Sequence, residues 1–521
     1  MDANLLSLPK HWEIKTLVEL TVQKNVSYGI VQPGKHENDG IPIIRVNNFT
    51  SSGLDVSNVM KVAPKLANKS LKTSLKKNDL LLTLVGSTGL TYIVPKEYEG
   101  WNVARAVAVI RGDNTVSAGW IKICLDSTFT KYFLDSRANT TVQKTLNLSD
   151  VKQVPIPIPL AHERAFIEKN IGNLNEKIEL NQKTNQTLEQ MAQALFKSWF
   201  VDFDPVFDNL LASVDFKLEN LETSLPGELI LKAQRRLAAL NSLENAAECK
   251  ASLSALAHEL QAQLSTKEAT QAAVQVSEKA AETPVKANFN ANPHILAQHA
   301  NTHAHFPNEF EHNEQLGWIP KGWEVLPLES LIILIGGGTP KTSVEEYWNG
   351  DIPWFSVVDA PQDSDVFVVD TEKHVTQLGV DKSSTKILRV GTTIISARGT
   401  VGKCAFVGTP MAMNQSCYGI NGINNISDEF IYYLTRHQVS DLQKRGHGSV
   451  FNTITRETFK SILLPFSGDK LTKEFGKAVT SLFDKILMNN RQNAELIKLR
   501  DTLLPKLISG ELQIPDVATD E

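Results

Sequence analysis

The chain is written twice. LPKHWEI at Leu8–Ile14 returns as IPKGWEV at Ile319–Val325, and IPIIRVNNF from Ile41 is answered by IPWFSVVDA from Ile352, both pairs 311 positions apart. Two Gly-bracketed turns follow apolar runs in the same order, LLLTLVGSTGLTYIV around Gly86 and Gly89 and TTIISARGTVGKCAFV around Gly399 and Gly402. KTLNLSDVKQVPIPIP from Lys144 then matches NTITRETFKSILLPFS from Asn452, now 308 positions on. A repeat this long, in constant order, is a repeated fold, and each copy is large enough to bury its own core.

The offset of 308 continues without a gap through a helical stretch in each half. Ile171, Leu174, Ile178, Leu188 and Leu195 hold the same places as Val479, Leu482, Ile486, Leu496 and Leu503, with the three-and-four spacing of a coiled-coil seam. Helices are predicted from about Glu163 to Phe200 and from about Lys470 to Ile508, with Pro159 and Pro465 as breakers before them and Gly510 as a stop. At about 1.5 Å per residue each would reach roughly 55 Å, a length that suits a spacer. Asn181, Asn185, Asn489 and Asn493 interrupt the stripe. Either they mark an exposed helix middle, or they pair across two antiparallel helices and fix their register.

The predicted fold class is α+β, with two pseudo-repeated globular heads and two long antiparallel coiled-coil-like helices. The first head takes 1–160, the central helix 161–204, an Ala-rich acidic insertion 205–317, the second head 318–466, and the last helix with its tail 467–521. Short β-rich runs (IPIIRV, DLLLTLV, VARAVAVI; IPWFSVV, GTTIISA, CAFVG) alternate with Gly, Asn and Thr turns and a few helical segments. Trp12 and Trp323, each ahead of an apolar run, read as core anchors, and Trp199 and Phe200 as core or partner-facing. The insertion is either helical and packed on the first head, or a linker, above all from Ser265 to Ala304. His294, His299, His303 and His305 there read as solvated linker histidines rather than a zinc site.

Charge sorts these segments. The net charge of −5 is unpromising for a nucleic-acid binder, but residues 1–160 carry 19 Lys+Arg against 13 Asp+Glu, and 205–317 carry 8 against 14. No run of eighteen apolar residues appears, and the N-terminus lacks a basic stretch followed by an apolar core, so a cytoplasmic protein is expected. Cys124, Cys249, Cys404 and Cys417 have no metal-ligand spacing and read as reduced thiols. No phosphate-binding G-x-x-x-x-G-K-[ST], no H-E-x-x-H and no D/N-P-P-Y/F element is present. The IGGGTP run at Ile335–Pro340 is either a plain tight turn or a loop offering backbone N–H groups to a ligand such as phosphate.

Several segments together carry a resemblance. GGGTPKTSVEEYWNGDIPWFSVVD (Gly336–Asp359), SARGTVGKCAFVGTPMAMNQS, ALFKSWFVDFDPV (Ala194–Val206) and FPNEFEHNEQLGWIPKGWEV resemble the specificity subunits of type I restriction-modification systems. The likeness spans about four-fifths of the chain; it departs in the long Ala-rich stretch from about Phe207 to Ala304. It implies that each head is a target recognition domain reading one half of a bipartite site on double-stranded DNA, with the helices as a ruler. It also implies docking of two methyltransferase subunits and, through them, two restriction motor/nuclease subunits. The chain itself would be no enzyme and would bind no cofactor or metal; S-adenosylmethionine, ATP and Mg would sit on the partners. On residues alone, a degenerate methyltransferase or nuclease and a DNA-independent scaffold stay open.

Base edges in the major groove are read best by Arg, Asn and Gln, with hydroxyl residues helping. The expected readers of the first head are Tyr28, Gln32 and Lys35 in a polar loop, Arg45, Asn47 and Asn48 after a strand, and Ser87 and Thr88 in the Gly turn. In the second head they are Thr339, Lys341, Arg398, Thr400, Asn414, Gln415 and Ser416. Lys444, Arg445 and His447 suit phosphates better than bases.

Overall fold

The computed structural model describes residues 8–50, 53–138, 144–221, 225–258, 302–361, 365–445 and 453–512. The chain divides into two compact units, Met1–Thr184 with Asn489–Glu521, and Asn185–Met488. The division falls inside both long helices, Ala161–Phe200 and Asp469–Ile508, so each helix gives one end to each unit.

In the first unit the strands are β1 (Glu13–Thr16), β2 (Thr21–Tyr28), β3 (Ile41–Ile44), β4 (Phe49–Thr50), β5 (Gly53–Leu54), β6 (Met60–Val62), β7 (Leu80–Thr83), β8 (Thr91–Ile93), β9 (Asn102–Val103), β10 (Val107–Gly112) and β11 (Pro155–Ile158). Four of them form an antiparallel sheet in the order β2-β10-β7-β8. Every residue of β7 and the first four of β10 are buried, which is why LLLT and VAVI read as unbroken apolar runs instead of alternating. A smaller sheet, β6-β3-β9, pairs β3 antiparallel with β6 and parallel with β9. The helix Ala118–Asp126 starts where the Ser117 hydroxyl accepts from Trp120 N. It buries Trp120 completely, and the indole N–H donates to Pro157 O.

The second unit adds β12 (Phe310–Asn313), β13 (Gly317–Pro320), β14 (Glu324–Pro327), β15 (Ile332–Gly336), β16 (Trp348–Phe355), β17 (Phe367–Val368), β18 (His374–Val375), β19 (Thr393–Ser396), β20 (Cys404–Val407), β21 (Ala412–Met413), β22 (Cys417–Gly422) and β23 (Leu463–Phe466). Its main sheet runs β15-β22-β19-β20, with β17 added at the edge. Its small sheet is β18-β16-β21, again one antiparallel and one parallel pair. Each strand of the first order has a counterpart in the second, so the repeat in sequence is a repeat in topology.

Both heads close in the same way. The strand after P-K-x-W-E pairs antiparallel with the strand that precedes the long helix, β1 with β11 and β14 with β23. The tryptophans of that motif are buried, but in different settings. Trp12 donates its indole N–H to Glu163 in the first turn of the helix, whereas Trp323 sits among Phe200, Phe203 and Phe306.

Within each unit the two helix ends pack antiparallel. In the first, Arg500 reaches Asn175 and Asn181 reaches Asn493. In the second, Asn185 lies at Ile486 while Phe196 and Trp199 stack edge-on against Phe475. Ile171, Ile178, Val479 and Ile486 are buried as the spacing predicts, but Leu174, Leu188, Leu195, Leu482, Leu496 and Leu503 are only half-buried; Ala192 and Trp199 continue the seven-residue column of Ile171 and Ile178, while Glu189 and Phe196 take the inward place expected of Leu188 and Leu195. A helix of 3.6 residues per turn drifts by about 20° per heptad, and the drift brings the neighbouring column inward. Glu189 is buried in that shifted column, ion-paired with Arg436 of the helix Asp428–Arg445 at 2.6 Å. Burial pushes the Glu189 carboxyl up, against the opposing pull of Arg436.

Candidate DNA interface

The Gly-bracketed turn is built twice from the same parts. In the first unit the Thr83 hydroxyl donates to Ser87 O and accepts from Leu90 N, and Gly89 N donates to Thr83 O. In the second, the Ser396 hydroxyl donates to Thr400 O and accepts from Lys403 N, and Gly402 N donates to Ser396 O. Gly86 and Gly89 have φ of 78° and 85°, Gly399 and Gly402 75° and 93°, values open to glycine and strained for other residues. This rigid turn leaves Ser87, Arg398 and Thr400 exposed and Thr88 half-buried. Val85 and Arg398 occupy the same place, each bridged through its backbone to the segment before the next short helix, at Thr145 and at Thr453.

A second paired element follows the inner strand of each small sheet. Val46–Asn48 and Val357–Asp359 are single 3-10 turns. Asn48 Oδ1 accepts from Arg45 N at 2.9 Å while its amide donates to Asp55 O, and Asp359 likewise accepts from Ser356 N at 2.8 Å and from Glu372 N. Asn48 is therefore only 6% exposed, a buried cap and not a reader. Its neighbour Asn47 is exposed, and the matching residue of the second unit is Val358, 77% exposed.

Tyr28, at the end of β2, is half-exposed, and Gln32 and Lys35 follow it on the exposed loop; Arg45 is half-buried. In the second unit Lys341 is exposed, and the Thr339 hydroxyl donates to the Gln415 side chain. Asn414 spends its Oδ1 on Ser416 N, which makes these two partners in a turn before they are anything else. Lys444 pairs with Asp441 at 3.1 Å, and Arg445 donates to Ser461 O at 2.7 Å, so both cations are engaged at home. His447, with His294 and His299, lies outside the described residues.

The IGGGTP run is a packing turn. A Cβ on Gly337 would stand 1.9 Å from Asn414 O, one on Gly338 2.4 Å from Ser384 Oγ, and Gly338 N already donates to Met413 O. Gly29 plays the same part in the first unit, where a Cβ would meet Val103 O at 1.8 Å. The glycines admit close backbone approach, and the Gly338 N–H is not available to a phosphate.

The described part of the insertion packs in the second unit, not on the first head. Helices Asp204–Ser213 and Gly227–Asn241 share a core with Phe310 and Trp318. His303 is not a solvated linker residue: it is buried and bonded to Asp208 Oδ2 at 2.9 Å, and Arg236 grips the same carboxylate with two bonds of 2.7 Å. Burial alone would raise the Asp208 carboxyl, but the bonds from Arg236 and His303 outweigh it and hold it below the usual range. Asn209 ties down His303 O and Phe306 O beside it.

Arg105 is an exposed cation at a paired turn that the sequence analysis does not single out. It lies just before β10, at the place that Gln415 takes before β22. Aligning the halves on β10 and β22, 310 positions apart, would have found it. Among the described residues no group of three His, Cys, Asp or Glu could hold a metal ion, and no helix is long and apolar enough to cross a membrane. Burial pushes the Cys404 and Cys417 thiols up to about 12, which keeps them protonated near neutrality.

The two heads match one family model, the type I restriction modification DNA specificity domain, over residues 9–190 and again over 320–498. The chain belongs to that family. It is 28% identical over 475 residues to the HindI specificity subunit of Haemophilus influenzae, covering 88% of this chain and 90% of that protein. It is 30% identical over 176 residues to the EcoBI specificity subunit of Escherichia coli, covering 33% and 37%. A solved S subunit of a type I restriction-modification system from M. genitalium aligns over 96% of this chain and 98% of its own, with 14% identity and a TM-score of 0.44. Each model match ends within a long helix, so this specificity domain is head and helix together.

Proposed function

We propose that this specificity subunit reads an asymmetric, two-part DNA sequence, one half with each head, and that it docks two methyltransferase subunits and through them two restriction subunits. The observation that carries the reading is one scaffold built twice and decorated differently. Equivalent positions on equivalent turns hold Asn47 and Val358, Val85 and Arg398, Arg105 and Gln415. A conserved frame with exchanged side chains reads two different sequences, because Asn suits adenine, Arg suits guanine and an aliphatic group suits the thymine methyl.

The chain catalyses nothing in this proposal, and S-adenosylmethionine, ATP and Mg act on its partners. The missing nucleotide-binding and amino-methyltransferase motifs support that division of labour. Cysteines without disulfide or metal spacing suit a cytoplasmic complex. The test is selection from a random duplex pool by the chain assembled with its methyltransferase subunits. Two short conserved blocks separated by a fixed unread spacer are expected; enrichment of a single block, or of none, would overturn the proposal.

A further inference from the structure

On the first unit an open groove of about 610 Å³ lies between the end of β2, the helix Pro64–Lys69 with the 3-10 turn after it, and the helix Leu148–Lys152. Lys69, Lys72 and Lys152 line it from these separate segments, with Asn25, Asn68 and Tyr28 between them. Among the described residues none of the three lysines is ion-paired with a carboxylate; the partner of Lys152 is the neutral Asn25, at 3.4 Å. The groove borders a long basic stretch, since Lys61, Lys65, Lys69, Lys72, Lys76 and Lys77 follow one another with no acidic residue from Val56 to Asn78.

The second unit repeats this only in part: Lys382 and Lys460 hold the places of Lys69 and Lys152, and Lys386 stands one residue from that of Lys72, all three exposed. Its matching stretch, 374–390, holds Lys382, Lys386 and Arg389 beside Asp381, and Arg389 is clamped by Asp428 at 2.6 and 2.7 Å. Unpaired lysines cost self-repulsion unless something anionic answers them, and lysine is a point charge suited to phosphate oxygens. Neutral Asn and Tyr donors beside them serve the same oxygens. Tyr28 then joins the groove to the loop carrying Gln32 and Lys35.

Resting on the DNA-reading function proposed above, we infer that Lys69, Lys72 and Lys152 grip backbone phosphates of the duplex, and that the first head supplies the larger share of sequence-independent attraction. The grip holds any duplex equally and contributes nothing to the choice of sequence.

The full-length chain and its Lys69→Gln/Lys72→Gln/Lys152→Gln variant are titrated, by fluorescence anisotropy, with a random-sequence duplex and with the selected duplex from 50 to 200 mM salt. The log–log salt slope of the variant is expected to flatten by up to about 2.7, at about 0.9 per phosphate contact, with both duplexes weakened by the same factor. The matching Lys382→Gln/Lys386→Gln/Lys460→Gln variant should flatten the slope less, because its stretch carries Asp381 and fewer cations than the six lysines of the first unit. An unchanged slope in the triple variant, a loss confined to the selected duplex, or an equal loss in the second-unit variant would overturn the inference. A parent chain with no salt-dependent affinity for any duplex would overturn the DNA-reading proposal itself.

Discussion

Asn47 and Asn48 are neighbours of one type, and the fold gives them opposite work. Asn48→Ala removes a buried cap and should cost about 0.5–2 kcal/mol in chemical unfolding, with the selected DNA sequence unchanged. Asn47→Ala should leave stability alone and relax the choice at one base pair by about 1–3 kcal/mol, as should Val358→Ala in the other half-site at the lower end of that range. Selection with the variants checks both; a shift in sequence from Asn48→Ala, or none from Asn47→Ala and Val358→Ala, would refute the assignment. The sequence could not separate the two asparagines, because the difference lies in which amide turns inward to reach Asp55 O. Asp208 was equally hidden, since its partners stand 28 and 95 positions away in a stretch that the repeat does not copy. With its carboxyl held below the ordinary 3.8, the stability that it contributes is fully present above that value and is lost as pH falls through the lowered one. Asp208→Asn should therefore destabilise the second unit by about 3–5 kcal/mol at neutral pH and blunt its acid lability, as read from urea unfolding across pH.

At the scale of elements the long helices were the most legible part, because a strict stripe of apolar residues says helix and seam at once. Their observed ends, Ala161 and Asp469, stand two and one residues earlier than the periodicity gave. The seam at Leu188 and Leu195 was misplaced because the heptad was extrapolated where the straight helix drifts. The strands were legible as apolar runs, but not the partner of each, which depends on contacts far apart in sequence. Asn181 donates to Asn493 Oδ1 at 2.9 Å and to Gln492 Oε1 at 2.8 Å, so the pair is a small polar island in the seam of the first unit. Asn181→Leu alone should cost about 1–3 kcal/mol by leaving the buried Asn493 amide short of a partner, and Asn181→Leu/Asn493→Leu should recover most of it. A double variant as unstable as the single one would show that the two amides do not act as a pair.

For the whole molecule, the offset between halves shifts from 311 at the first strands to 313 around the Gly turns, then falls to 310 at β10 and β22 and to 308 at the helices, so insertions fall within the heads while the helices keep strict register. Gaps between the halves that fall in the heads and not in the helices are what the two-part reading proposed above requires. Each helix has 40 residues, and the two are shared between the units. Removing seven residues from the middle of both keeps the seam in phase and shortens each by about 10.5 Å, or about 3 base pairs at 3.4 Å each. The selected spacer should contract by about that number while both sequence blocks stay the same. Removing five residues instead rotates the downstream seam by about 140° and should abolish stable folding, since the buried columns no longer face each other. A seven-residue deletion that folds, binds and keeps the original spacer would mean that something other than helix length sets the distance.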